Sequence, residues 1–336
     1  MKLLVVIVNY KTADLTVDCL RSLAGELPSV PGGQTRVVVT DNASGDGSAE
    51  KIQAAVDQNG WHWAQVMPLP ANGGFAYGNN RGMEAALAGD DKPQYVYLLN
   101  PDTVVLPDAL RELVTFMDAH PEVGIAGGRA VNPDGTVRNS AFRFHTVLSE
   151  LEGSIRLGVV SKVLKKHVVA TAPPDEPRQV EWVSGASMMV RREVFEKIGL
   201  LDEGYFMYFE ETDFCLRAAK AGFATWYVPG SRIIHLVGQS SGVTGAKRTT
   251  KRRPAYWFAS RHRFFRRHYG TVGTLAADVL WAGGFAVGNV LQKLRRKPRT
   301  DPPWLWWDFV RYNVKDYFRA RNVPAAEPLG SRAQGA

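Results

Sequence analysis

Three short apolar runs, each closing on a polar cluster, constrain this chain's fold more than any other feature. Leu3–Val8, Arg36–Thr40 and Tyr95–Leu99 are rich in β-branched or aromatic residues and only five or six residues long. Runs of that kind suit parallel strands buried on both faces. Between them, Ala13–Leu23 and Ser48–Val56 show helical spacing, with Thr12 or Asp14 and Gly47-Ser48 as caps. A third helix is expected from near Asn79 through Ala88. The alternation predicts an α/β fold: a doubly wound, mainly parallel sheet flanked by helices, with its ligand site beyond the carboxyl ends of the strands.

The polar clusters fall at those ends. Val8-Asn9-Tyr10-Lys11 follows the first run, Asp41 through Gly47 the second, and Asn100-Pro101-Asp102-Thr103 the third. Further on, Val183–Val190 and Ala224–Val228 read as strands, and Arg192–Lys197 and Glu210–Ala221 as helices. Gly153–Gln179 lacks periodicity and is expected to be a flexible excursion near the acceptor side.

Composition narrows the setting. The 336 residues contain two cysteines, Cys19 and Cys215, and no CxxC pair, which argues against a disulfide framework or a thiolate zinc site and fits a reducing cytoplasm. The apolar start at Leu3–Val8 is too short for a signal-peptide core. The net charge of +8 is uneven: residues 247–336 hold 19 basic and 5 acidic side chains, whereas residues 1–150 hold 11 and 17. A basic C-terminal quarter implies an anionic partner surface.

Four constellations carry candidate chemistry. Asn100-Pro101-Asp102 puts a carboxylate at a strand end, where it could hold a divalent cation against a diphosphate; as a bare sequence it is equally a turn. Gly73-Gly74-Phe75 leads into Asn79-Asn80, and glycines before a helix let the backbone approach phosphate, although the spacing is neither a dinucleotide fingerprint nor a Walker loop. Glu210-Glu211-Thr212-Asp213 follows the aromatic run Tyr205–Phe209, a setting that desolvates a carboxylate and suits a general base. Arg217, four residues after Asp213, is placed to pair with it. His235 closes an apolar run, and an imidazole there suits Mn²⁺ better than Mg²⁺.

Taken together and in order, these residues resemble the family 2 glycosyltransferases of GT-A fold, and among them the bacterial rhamnosyltransferase-like enzymes of cell-surface polysaccharide synthesis. The resemblance spans roughly residues 3–241, on Val8-Asn9-Tyr10, Asp41-Asn42-Ala43-Ser44, Asn72 through Asn80, Asn100-Pro101-Asp102, Gly185-Ala186, Glu210 through Arg217, and His235 with Ser240-Ser241. It implies that Asp41 and the Asn9 loop hold the nucleotide base. Val8, Tyr10, Asn42, Asn72, Gly74, Phe75, Asn79, Asn100 and Gly185 would complete the nucleotide-sugar site. Asp102, the one acid left of the family's DXD signature, would hold Mg²⁺ or Mn²⁺ with help from His235. Glu211 falls at the position of the general base, with Asp213 as its rival because glutamate replaces the usual aspartate. The implied reaction is single displacement with inversion, from a dTDP- or UDP-sugar (dTDP-L-rhamnose first) to a lipid-linked or glycan acceptor.

The expected organisation is a catalytic domain over 1–245, divided into a nucleotide half (1–103) and an acceptor half (104–245). A basic, aromatic-rich helical region (246–322) and a disordered tail (323–336) follow. In the helical region Trp257, Phe258, Phe264 and Phe265 share one helix face among arginines, suited to an anionic membrane surface contacted through residues 247–307. Residues 271–292 are apolar but carry Asp278, which disfavours a true span. No nucleic-acid-binding motif is present. The expectation is therefore a cytoplasmic enzyme, peripheral on the inner face of the membrane. The competing readings are a nucleotidyltransferase, which would want a glycine loop after the first strand, and a catalytically inactive assembly subunit.

Overall fold

The structure is a computed structural model and describes residues 1–236, 251–296 and 301–318. The elements run β1 (Leu3–Asn9), α1 (Ala13–Glu26), β2 (Thr35–Asp41), α2 (Ser48–Gln58), β3 (Ala64–Pro68), α3 (Gly74–Ala88), β4 (Tyr95–Leu99), β5 (Thr103–Val105), α4 (Ala109–Ala119) and β6 (Val123–Val131). They continue with β7 (Ala141–Phe142), α5 (Val147–Ile155), α6 (Gly158–Val163), β8 (Arg178–Val180), β9 (Trp182–Val183), β10 (Ser187–Arg191), α7 (Arg192–Ile198), α8 (Glu210–Lys220) and β11 (Ala224–His235). Two helices close the chain, α9 (Ala255–Leu294) and α10 (Leu305–Phe318).

The expected apolar runs form the fully buried centre of one sheet, ordered β3-β2-β1-β4-β10-β6-β11-β5, with β8 beside β11. Its first four strands are parallel, as the βαβαβ pattern requires. Beyond β4 the sheet is mixed: β10 runs antiparallel to both β4 and β6, and β5 antiparallel to β11. Register sets the polar ends side by side, with Asn9 opposite Asp41 and Thr103 opposite His235. Glycine makes one helix–sheet contact very close, since a Cβ on Gly78 of α3 would lie 2.5 Å from the Val8 side chain.

Several boundaries differ from expectation. The third helix starts at Gly74, five residues before Asn79, so the glycine turn is itself its first turn. Val183–Val190 is two strands broken at Ser184-Gly185-Ala186. The strand at Ala224 continues to His235, shifting register between Val228 and Arg232, where Pro229-Gly230 interrupts the pattern. Gly153–Gln179 is not the expected excursion: it holds the end of α5, all of α6 and the start of β8.

The C-terminal region also departs from expectation. α9 is two arms meeting at Gly270, whose φ of 67° and ψ of −171° leave the helical region. In the first arm, Phe264 and Phe265 pack with Tyr205 and Phe209, and Phe258 packs with Phe285, Leu305 and Phe309. That aromatic face therefore packs on protein, not on lipid. The arm's cations are also engaged, Arg261 by Glu150 and Asp278, Arg263 and Arg267 by Asp202. Lys247, Arg248, Lys297, Ser240-Ser241 and the tail at 323–336 lie outside the described residues.

Candidate active site

The site begins where β1 and β2 end. Asn9 is fully buried; its amide nitrogen donates to Asp41, and its amide oxygen accepts from Thr12 and Thr16. Asp41 also accepts from the Ser44 main-chain N–H at 3.0 Å and the Ser44 hydroxyl at 2.6 Å. Both Asp41 oxygens are thus engaged within the protein. Its carboxylate holds the two loops together at the ends of β1 and β2. Tyr10 beside it is exposed, and Lys11 donates its N–H to Ser44.

The glycine turn couples this edge to the loop before α8. Asn72 caps the Gly74 N–H, and the Asn42 amide donates to the Gly74 carbonyl at 2.9 Å. The Phe75 N–H donates to the Phe206 carbonyl at 2.9 Å, and Asn79 donates to the Phe75 carbonyl. Asn79 is almost fully buried, and its amide oxygen has no hydrogen-bond partner among the described residues. Gly74 has φ +88°, and a Cβ there would sit 1.9 Å from the Phe206 oxygen.

Asp102 and His235 meet at the ends of neighbouring strands. Asp102 Oδ1 lies 3.3 Å from His235 Nε2, the Asn100 amide nitrogen lies 3.4 Å from that same nitrogen, and the Leu236 N–H donates to the Asp102 carbonyl. Asp102 is buried and His235 partly so. No group of three or more His, Cys, Asp or Glu gathers for a metal among the described residues. One carboxylate and one imidazole at this spacing could together hold a divalent cation.

Helix α8 starts from two consecutive left-handed residues, Tyr208 (φ 71°) and Phe209 (φ 69°). Neither is glycine, so the turn stores strain of a kind that persists where surroundings over-determine it. It swings Glu210 and Glu211 inward. Burial raises both carboxyls above the ordinary glutamate range, and for Glu210 the adjacent Glu211 adds to it. Glu211 accepts from the Gly185 N–H, and a Cβ on Gly185 would touch Phe75. The Oε2 atoms of both glutamates have no partner among the described residues.

Residues 4–199 match the model of the family described as Glycosyl transferase family 2. The chain belongs to that family. Among its relatives is an N-acetylglucosaminyl-diphospho-decaprenol L-rhamnosyltransferase of Mycobacterium tuberculosis, 31% identical over 72% of this chain and 75% of the relative. The rhamnosyltransferase WbbL of Escherichia coli is 28% identical over 49% of this chain and 62% of its own. In fold, the chain superposes on the mannosyltransferase PcManGT from Pyrobaculum calidifontis, solved with GDP-Man and Mn²⁺, at a TM-score of 0.55 and 14% identity, covering 95% and 88% of the two chains. It is a glycosyltransferase of GT-A-like fold and a rhamnosyltransferase-like member of family 2.

In this family 2 glycosyltransferase, Asp213 differs from its acidic neighbours in its surroundings. It is fully buried and accepts from Arg217 Nε at 2.7 Å, His268 Nε2 at 2.8 Å and the Tyr205 hydroxyl at 3.3 Å, with Arg267 Nε at 3.4 Å. Burial alone would raise its pKa, but His268, Arg217 and Arg267 together hold it at about 2. Beyond Phe209 opens a cavity of about 460 Å³, lined among others by His145, Glu150, Trp257, Arg261 and Trp281. His145 packs at a tilt against Phe209, with ring centroids 4.9 Å apart. His145, His268 and Asp202 carry no motif in the sequence. Only the fold brings them to the loop and first turn of α8.

Proposed function

We propose that the chain is an inverting enzyme that moves L-rhamnose from dTDP-L-rhamnose to a hydroxyl of a lipid-linked acceptor in cell-surface glycan synthesis. The observation that carries it is Glu211: a desolvated carboxylate, held by the Gly185 N–H beside Phe75, with one oxygen left for a proton. Asp213 cannot serve as well, because a carboxylate held at about 2 by His268, Arg217 and Arg267 is a poor proton acceptor.

The acceptor hydroxyl gives its proton to Glu211 Oε2 as its oxygen bonds the anomeric carbon. The carbon–oxygen bond to the β-phosphate breaks on the opposite face, and the bonding pair leaves with the nucleoside diphosphate. Asn9, Asn42, Asn72, Gly74, Phe75 and Asn79 shape the donor side, and Val8, Tyr10 and the Asp41-braced loop form its nucleotide end. Asp102 and His235 would hold Mg²⁺ or Mn²⁺, which neutralises charge on the leaving diphosphate. The cavity beyond His145 and Phe209 takes the acceptor. We divide the chain as 1–245 for catalysis and 246–322 as a helical appendage, whose first arm braces the catalytic loop, and we place the enzyme at the cytoplasmic face of a membrane.

Release of nucleoside diphosphate across a panel of dTDP- and UDP-sugars with Mg²⁺ and Mn²⁺ tests donor and cation together. Glu211→Gln should cut turnover by about 10²–10⁴-fold while donor binding survives. Binding without turnover for every donor would turn the reading toward an inactive assembly subunit.

A further inference from the structure

The second arm of α9, residues 271–294, shows two faces of opposite character. Its inner face carries Thr274, Ala277, Asp278, Gly284 and Gly288 and is buried, with Gly284 and Gly288 pressed on Leu151, Ser154 and Ile155 of α5. Its outer face exposes Val272, Leu275, Val279, Val287 and Val290. From 271 to 292 no exposed position of this arm is charged. Soluble surfaces rarely leave so long an apolar stripe in water.

Cations border the stripe. Exposed Lys293, Arg295 and Arg296 end the arm. Arg156, which bonds Asn289, leads into α6, which exposes Val159, Lys162 and Val163 and is followed by exposed Lys165 and Lys166. α10, packed on α9 through Phe285 and Phe309, exposes Trp304, Trp307 and Val314 beside Arg311 and Lys315. A cleft of about 360 Å³ there is lined by Arg252, Arg253, Arg311 and Lys315, with Asp308 paired to Arg252.

We infer that this face docks on an anionic bilayer surface, with the 271–294 arm lying in the interface and not crossing it. Length and hydropathy alone would allow α9 to span a membrane. The inner face forbids it, because Asp278 is locked to Arg261 and the arm is fastened along α5. An apolar stripe flanked by lysine, arginine and tryptophan is the pattern of a helix seated at the headgroup–acyl boundary. The choice of a bilayer over a second copy of the chain rests in part on the lipid-linked acceptor proposed above. The test needs neither donor nor acceptor.

The full chain is sedimented with vesicles of phosphatidylcholine alone and of phosphatidylcholine with phosphatidylglycerol. Binding is expected to the anionic vesicles and to weaken with salt. V279E with V287E, at exposed positions, should abolish it without lowering the melting temperature. R311Q and K315Q should each weaken it about fivefold, the equivalent of ~1 kcal/mol per cation at a charged surface. Sedimentation velocity without lipid reads the other occupant. A dimer that V279E with V287E turns into a monomer, with no vesicle binding by the parent chain, would overturn the proposal. So would vesicle binding that the two glutamates leave intact. A chain that binds vesicles yet turns over no nucleotide sugar would sink the proposed function and leave this surface standing.

Discussion

The main-chain N–H of Phe75 donates to the carbonyl of Phe206 at 2.9 Å, tying the first turn of α3 to the loop that presents Glu210 and Glu211. This contact needs a bare backbone at the preceding residue. Gly74 combines φ +88° with a virtual Cβ 1.9 Å from the Phe206 oxygen, so an added methyl meets main chain on both counts. Gly74→Ala is expected to push the two segments apart and to lower turnover about 100-fold or more, the scale that a displacement near 1 Å costs in an active site. Steady-state release of nucleoside diphosphate measures it, and a wild-type rate would show that the two halves need not touch.

That link also marks how much was legible in advance. The placing of Asn9, Asp41 and Asp102 at strand ends was legible because alternating strands and helices force those ends onto one edge. The burial of the acidic cluster Glu210–Asp213 was legible because it follows an aromatic run. β6 was missed, since Gly124, Gly127 and Gly128 interrupt its pattern, although Gly127 is where Val183 packs closest. His268, Arg267 and Asp202 could not be read at all. They act across separations of fifty residues or more, and a histidine in a basic helix looks like a solvated cation until the fold supplies Asp213. The same blindness made the first arm of α9 look like a lipid-facing helix, because periodicity shows that a face is apolar but not what covers it.

Asp213 joins α8 to α9, and its role should appear as stability and not as proton transfer. Asp213→Asn leaves Arg217, Arg267 and His268 facing a neutral group, at an expected cost of about 3 kcal/mol. The sign follows from its depressed pKa of about 2: the contribution is present above the unfolded value near 4 and is lost as pH falls through about 2. Denaturant melts of wild type and Asp213→Asn at neutral pH and near pH 2 should therefore converge at the acid end. An unchanged melt at neutral pH, with turnover abolished, would return Asp213 to the list of candidate bases.

Asp102 and His235 predict unequal losses. A carboxylate against a dication contributes charge as well as a bond, whereas the imidazole contributes a bond alone. Asp102→Ala should abolish both activity and the Mn²⁺-dependent binding of dTDP seen by calorimetry. His235→Ala should weaken Mn²⁺ binding and shift the preference toward Mg²⁺. Metal-stimulated turnover surviving in Asp102→Ala would place the cation elsewhere.

The paired glutamates set opposite demands on stability and rate. Burial raises both carboxyls above their unfolded value near 4.3, so the native state holds their protons more tightly than the unfolded chain does. Stability must then fall as pH rises from about 4 through the raised native values and level off above them. Glu210→Gln removes that cost and should melt higher than wild type at pH 7–8, with the difference vanishing below about pH 4. The rate turns on the other glutamate. Glu211 must be ionised to accept a proton, so turnover should fall on the acid side with an apparent pKa above the ordinary glutamate value. Glu210, pushed up further by Glu211, still holds its proton when Glu211 ionises, so Glu210→Gln should leave that limb nearly in place. Calorimetric melts and kcat profiles over the same pH range measure both, as macroscopic values of the pair. A limb already at the ordinary glutamate value in wild type, or one that Glu210→Gln moves upward, would mean that the base is not a desolvated member of this pair.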